Sequence, residues 1–373
     1  MKRKLKYNTP IRVICAIFFA IFSFLYIYMF QGELLALLQD NLSGGRTKSN
    51  ALVAALIITS LLLLLQWGVN RLSKLHGRWE AVSYLPSCML LALLTDVNDG
   101  TILYTLARWA WGVPLCIVIY TLLVWLNRMS SSVGKWGFLR VLWPNLAALS
   151  LLFVLTGQIG NNATVTHMEL AAWGHVHDGE YEKVLKVGAR SDDTNAELTA
   201  LRILALAKTG ELGDRLFYYP QRYGADALIY NKYSKQTKAY GAGEYYCHLG
   251  EEPYGGESGR SFAERMYMKH DSAVWRELYL AALLLDKDLD AFAKVWRAMP
   301  QDDAALPVHY QEALCLYNEQ HPDAPIAFKA DDAVLTRFAD YRALQKEYAG
   351  DDIVAKNVSK RKFGNSYWCY YDY

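Results

Sequence analysis

Gly157-Gln158-Ile159-Gly160-Asn161-Asn162 is the point at which this 373-residue chain changes character. Before it the sequence is a succession of solid apolar runs. After it apolar residues recur at the 3.6-residue spacing of amphipathic helices. Charge changes at the same place: through Gln158 there are 14 Lys and Arg against 5 Asp and Glu, a net +9, and beyond it 25 against 32, a net −7. The formal +2 of the whole chain averages two different parts. That division excludes a single soluble globule, a disordered chain and a nucleic-acid binder acting through bulk positive charge. The sequence predicts an all-α protein of two domains, 1–157 and 158–373.

Toward the N-terminus five apolar runs follow one another, at 11–30, 51–67, 81–95, 110–126 and 141–155. The first, Ile11 to Phe30, is long enough to cross a hydrocarbon core of roughly 30 Å at about 1.5 Å per residue. Its aromatic residues continue to its end with no small-residue cleavage site, so it reads as a retained anchor. Cys15 follows Ile14, not a small residue, which argues against lipidation. The run at 81–95 is short and contains Pro86, and charge placement decides its reading. With five spans and a cytoplasmic N-terminus, eleven basic residues fall inside and three, Arg46, Lys48 and Arg108, fall outside. Without this span Arg128, Lys135 and Arg140 would lie on the far side. Five transmembrane helices, an inner-membrane location and an exported C-terminal domain are therefore expected. Trp67, Trp79, Trp109, Trp111, Trp125 and Trp143 fall near span ends, as interfacial anchors do.

Ionisable residues at membrane depth mark ion and proton pathways, and this half has almost none. Glu80 reads as lying at the inner edge, and Asp96 and Asp99 at the outer edge in a turn ending at Gly100. Asn145 beside Pro144 reads as a helix-packing hydrogen bond.

Toward the C-terminus the chain reads as helical pairs. Helices are expected over 165–176 and 181–189, 195–208 with a turn at Gly210, 272–285 and 288–298, and 308–319 and 331–348. Gly179 and Gly210 stand 31 residues apart, each followed two positions on by a large apolar residue. That resembles a degenerate tetratricopeptide unit, which implies a helical-repeat array. Nine tyrosines lie between Tyr218 and Tyr254, interleaved with Lys232, Lys235 and Lys238, and the chain closes on Tyr367-Trp368-Cys369-Tyr370-Tyr371-Asp372-Tyr373. Tyr230, Tyr233, Tyr240, Tyr245, Tyr246, Tyr367 and Trp368 are the candidate partner-binding residues, since tyrosine offers a large rigid contact area with a polar tip suited to peptide or sugar. Packing of the same rings between repeats, and docking of the tail on its own domain, are the competing and favoured readings.

The stretch Leu212-Gly213-Asp214-Arg215-Leu216-Phe217-Tyr218-Tyr219-Pro220-Gln221, with the closing Phe363-Gly364-Asn365-Ser366-Tyr367-Trp368, resembles an uncharacterised family of Bacteroidetes-type polytopic inner-membrane proteins whose helical repeats follow the membrane region. The resemblance implies a domain facing the periplasm and carries no activity.

Nothing in the sequence names a reaction. There is no Cys-x-x-Cys, nucleophile elbow, phosphate loop or dinucleotide fingerprint, and no cofactor or metal is expected. His167, His175 and His177 lack the spacing of a ligand set, and the acidic pairs 192–193, 302–303, 331–332 and 351–352 read as helix caps. The expected function is a membrane-anchored interaction or scaffold protein, more a binder than an enzyme. It presents a helical-repeat surface to a protein partner in the cell envelope. The alternative is an accessory or catalytic component of lipid-linked glycan handling or transport. Its expected partners are the lipid bilayer and that envelope protein, with a sugar ligand under the alternative and no nucleic acid.

Overall fold

A computed structural model describes residues 8–43, 50–96, 102–129, 137–230, 242–270, 272–299 and 306–373. Among them there are helices, turns and loops and no strand. The chain divides into two compact units, Met1–Leu170 and Ala171–Tyr373.

Unit 1 contains α1 (Asn8–Leu25), which continues as a π-helical stretch over Tyr26–Phe30, α2 (Gly32–Ser43) and α3 (Ala51–Ser73). A 3-10 stretch, Gly77–Tyr84, runs directly into α4 (Leu85–Thr95), and α5 (Ile102–Met129) and α6 (Phe138–Ile159) follow. Among the described residues four helices are long and apolar enough to cross a membrane: Asn8–Phe30, Ala51–Ser73, Arg108–Met129 and Phe138–Ile159. The third expected segment, 81–95, is instead covered by two short pieces, with Pro86 in the first turn of α4, where a proline leaves no hydrogen bond unmade. It is the centre of the unit. The 3-10 stretch touches α1, α3, α4, α5 and α6, and Ala81, Tyr84, Cys88 and Leu91 pack with Phe19, Leu62 and Leu149 in one core.

Polarity in unit 1 runs outward from wet to greasy. Gln66, Asn70, Glu80, Ser83 and Asn145 are buried, while Phe18 and Ile21 of α1, Leu61 and Leu64 of α3, Val118 and Leu122 of α5 and Val154 of α6 are exposed. The buried polar groups join element to element. Asn145 Oδ1 accepts from the Ala81 N–H at 2.8 Å and its Nδ2 donates to Gly77 O at 2.8 Å, pinning the 3-10 stretch to α6. Gln66 Nε2 donates to Ser83 Oγ at 2.7 Å, and Ser87 Oγ donates to Leu62 O at 2.9 Å.

The segment at 157–162 is knit into unit 1. The Asn161 N–H donates to Thr95 O at 2.8 Å, the Asn161 carbonyl accepts from Gln31 Nε2 at 2.9 Å, and a Cβ on Gly160 would meet Tyr26 Oη at 2.3 Å. These bonds are why the division between units falls between Leu170 and Ala171, inside α7 (Thr164–His177), and not at the composition change.

Unit 2 continues with α8 (Tyr181–Val184), α9 (Ala196–Thr209), α10 (Leu212–Arg215), α11 (Ala242–Leu249), α12 (Gly259–Lys269), α13 (Ala273–Leu285) and α14 (Leu289–Ala298). It ends with α15 (Val308–Gln320), α16 (Asp332–Glu347), α17 (Asp352–Phe363) and α18 (Tyr367–Asp372). The helix expected over 181–189 stops at Val184, because buried Arg202 donates to the Val187 and Gly188 carbonyls at 3.0 and 3.1 Å and holds that backbone in turns. Capping follows the sequence in most places: Asn195, Asp288, Asp331 and Asp351 each accept a backbone N–H in the first turn of α9, α14, α16 and α17. The pair Asp192-Asp193 does not cap α9, since Asn195 holds that place, and 302–303 lie outside the described residues.

Neighbouring helices pack in sequence from α12 to α17, as in a repeat array. The order breaks at α10, which packs on α13 and α15 as well as on α9. Gly213 permits this approach: a Cβ there would meet Pro307 Cβ at 2.6 Å and Tyr310 Cζ at 3.0 Å. Asp214 Oδ1 then accepts the Val308 N–H at 2.8 Å, so a residue of α10 caps α15.

Candidate functional site

The rings singled out as partner-binding are interior. Tyr230, Tyr245, Tyr246, Tyr367 and Trp368 are all buried, and Tyr233 and Tyr240 lie outside the described residues. Trp173, Tyr230, Tyr245, Tyr246, Phe262 and Trp275 form one chain of ring contacts with successive centroids 5.4, 5.0, 5.1, 6.4 and 5.5 Å apart, linking α7 to α11, α12 and α13. Burial pushes the Tyr246 hydroxyl up to about 12, and its O–H donates to Tyr230 O. These rings supply apolar area inside the unit and leave no face for a ligand.

The tail is likewise part of the unit. Trp368 is 0% exposed; its Nε1–H donates to Glu312 O at 2.8 Å, and the Tyr367 N–H donates to Glu312 Oε2 at 2.7 Å. Glu312 also faces His309 Nδ1 at 2.8 Å, and His309 Nε2 accepts the Phe217 N–H at 3.3 Å. Phe217 stands 5.2 Å from Tyr367 and 4.9 Å from Tyr370. The two short stretches that carry the family resemblance are thus parts of one contact, bridged by a buried His-Glu pair on α15. Each needs the other, and α15 hides both.

None of the polar groups considered at the outset gathers into a ligand set among the described residues. His167 faces the Asn161 carbonyl at 3.1 Å, His175 pairs with Glu180 at 3.0 Å and His177 with Glu244 at 2.5 Å. The six cysteines are unpaired, and burial pushes the Cys315 and Cys369 thiols up to about 11, away from the thiolate form. Asp96 is not a surface turn residue: it is 0% exposed, accepts the Trp109 Nε1–H at 2.7 Å and pairs with Arg108.

A concave site does exist where sequence reading placed only a loop. A cavity of about 430 Å³ is lined by Arg12 of α1, by Gln66, Trp67, Asn70 and Arg71 of α3, and by Lys74, Leu75 and His76 beyond it. Glu80 ties two of these residues together: it is buried, accepts Arg12 Nε at 2.8 Å and accepts Asn70 Nδ2 at 2.6 Å. A carboxylate only accepts, so this bond fixes the Asn70 amide, and its Oδ1 is left buried without a partner. Arg71 stands 5.4 Å over the Trp67 ring, and no carboxylate among the described residues pairs with Arg71 or Lys74. Lys74 ends α3 at φ 54°, the left-handed region that costs an ordinary side chain roughly 1–2 kcal/mol. In composition these cations look like the loop charge of any membrane protein. The buried Glu80 carboxylate, far along the chain from Arg12, bonds both Arg12 of α1 and Asn70 of α3 and so brings α1 to the cationic end of α3.

A second, apolar groove of about 400 Å³ lies on another side of α3, lined by Val69, Leu72, Tyr120, Val124 and Trp125 with Arg128 at its rim.

No curated protein and no solved structure matches the chain. A family of unknown function, DUF6057, matches residues 105–254 and 260–373, which takes in most of α5, all of α6 and nearly all of unit 2. The match includes both stretches that meet at His309 and Glu312, and it spans well over half of the sequence, so the chain belongs to the DUF6057 family.

Proposed function

We propose that the protein is a membrane-anchored interaction protein, in which unit 1 sits in a bilayer and unit 2 presents a helical surface to a polypeptide of the cell envelope. The observation that carries this reading is the polarity of unit 1, whose buried Gln66, Asn70, Glu80 and Asn145 join element to element while Phe18, Leu61, Val118 and Val154 face outward. In water that arrangement would leave a large apolar surface wet; in hydrocarbon it is the stable one.

Five crossings complete the reading. The 3-10 stretch and α4 together rise about 32 Å at roughly 2.0 and 1.5 Å per residue, enough for the hydrocarbon core. Enclosed by other helices, that segment needs no apolar outer face of its own. An odd number of crossings puts the two ends of the chain on opposite sides, and the excess of basic residues on the N-terminal side supports a cytoplasmic N-terminus with unit 2 in the periplasm of a bacterial inner membrane. The paired helices of unit 2 are tetratricopeptide-like, a reading supported by Gly179 and Gly210, both in the left-handed region at φ 72° and 73°.

The test is affinity capture of the detergent-solubilised full chain beside a chain ending at Asn162. Envelope polypeptides held only by the full chain are the expected result, and identical captured sets would overturn the assignment of binding to unit 2.

A further inference from the structure

The geometry points to the cavity at the end of α3 as a binding site for a phosphate-bearing headgroup with a neighbouring hydroxyl, as in an anionic glycerophospholipid. The inference rests on the membrane reading of unit 1 and concerns a ligand that reading does not supply.

Four observations converge. First, the cavity's charge is unbalanced: Arg12, Arg71 and Lys74 line it and no carboxylate does, while the buried Glu80 behind Arg12 and Asn70 is already bonded to both. A phosphate monoester or diester would balance the remaining charge, and guanidinium offers it paired donors. Second, Asn70, which lines the cavity, carries a buried Oδ1 with no partner, an acceptor that a donor reaching in from the cavity, such as a hydroxyl, would satisfy. Third, Lys74 holds a backbone conformation in which glycine is the unstrained residue. Cations at a helix C-terminus complement its dipole, an ordinary role that accounts for Arg71 and Lys74 being basic. That role does not require a side chain at the left-handed position, since a lysine one residue earlier would serve as well. Fourth, the depth is right. The exposed apolar face of α3 runs from Leu52 through Leu64 and Trp67 to Leu72, with Arg71 and Lys74 at its end, so the cavity opens where hydrocarbon gives way to headgroups. Its 430 Å³ lies within the roughly 300–1,000 Å³ of small-molecule sites.

The headgroup of a bilayer lipid and a free glycerol phosphate share this chemistry, and the opening at membrane level favours the lipid. Calorimetric titration of the full chain in detergent distinguishes them, using short-chain phosphatidylglycerol, phosphatidylcholine of the same chains and glycerol 3-phosphate. Phosphatidylglycerol is expected to bind on the order of tenfold tighter than either of the others. Arg71→Gln and Lys74→Gly should each weaken it about fivefold, whereas Arg128→Gln, which removes the same charge from the rim of the other groove, should weaken it less than about twofold. Lys74→Gly relieves the strained backbone, so its thermal midpoint should stand at or above that of the parent while binding falls; weakened binding there is not a folding defect. Equal affinity for the two lipids, equal loss in all three variants, or glycerol 3-phosphate binding as tightly as phosphatidylglycerol would overturn the proposal. The membrane reading fails separately, if the chain leaves the particulate fraction on an alkaline carbonate wash.

Discussion

Single residues in this chain act chiefly through what they leave unpaired or unfilled when changed. Trp368 shows both effects: its ring is fully enclosed, 5.0 Å from Phe338, and its N–H is used on the Glu312 carbonyl. Trp368→Ala should destabilise unit 2 by about 3–5 kcal/mol, read as a lower thermal midpoint with unit 1 still resistant to denaturation. Glu277 is a case of charge held in the wrong place. Burial raises its carboxyl above the usual range, Asp214 adds to the effect and Arg276 opposes it. The folded chain therefore binds a proton more tightly there than the unfolded chain does, and stability falls as pH rises past the ordinary carboxylate range of about 4.3. Glu277→Gln removes that loss. The variant should melt higher than the parent at pH 7, and the gap should close as pH drops below about 4. A gap that stays constant with pH would show that the carboxyl does not titrate abnormally. The clues to these residues in the sequence differ. The apolar tail announces that Trp368 must be covered, whereas Glu277 looks like any surface glutamate, because the helix that buries it is distant in the chain.

At the scale of elements, two contacts decide how pieces of the chain meet. The first is α10 on α15, which depends on the bare Gly213 Cα against Pro307 and Tyr310. Gly213→Ala should cost about 1–3 kcal/mol by overpacking and detach the Asp214 cap from the start of α15; hydrogen exchange at the Val308 N–H reports it directly. The second is the 3-10 stretch on α6, where Asn145→Leu leaves the Ala81 N–H and the Gly77 carbonyl without partners. A loss of about 1–3 kcal/mol in detergent is expected, and an unchanged melting curve would show that those groups find other partners. Sequence periodicity located α7, α9, α13, α14, α15 and α16 within a residue or two, because each carries its own apolar stripe, cap or breaker. It overran α8, expected over 181–189 but ending at Val184 where Arg202 of another helix takes the next carbonyls, and gave no sign of α17, which leads the tail onto its docking surface. The tyrosines illustrate the same limit from the other side. Their composition suits a binding face and a packed interior equally, and only their neighbours separate the two.

For the whole molecule, the prediction concerns sidedness. Reporter fusions after Ser130 and after Asn162 should report cytoplasmic and periplasmic positions in turn, as five crossings require. The reverse pair, periplasmic after Ser130 and cytoplasmic after Asn162, would remove the segment at 81–95 from the count and bring unit 2 to the cytoplasmic face. The decision rests on that segment because it is the element whose apolar length is marginal and whose surroundings are protein on every side described.

The sequence by itself determined that this chain is all-α, that its first part is built of helices apolar enough for a membrane and that its last part is amphipathic. Those properties are local: run length, periodicity and caps act within a few residues, and no distant contact is needed to read them. Tertiary structure alone decided that the aromatic residues are interior, that the two family stretches are one contact and that the division between units falls within α7. It alone joined Arg12 and Asn70 through a buried glutamate. Each of these depends on residues brought together from far apart in the chain, where loop closure and packing, not local preference, set the partners.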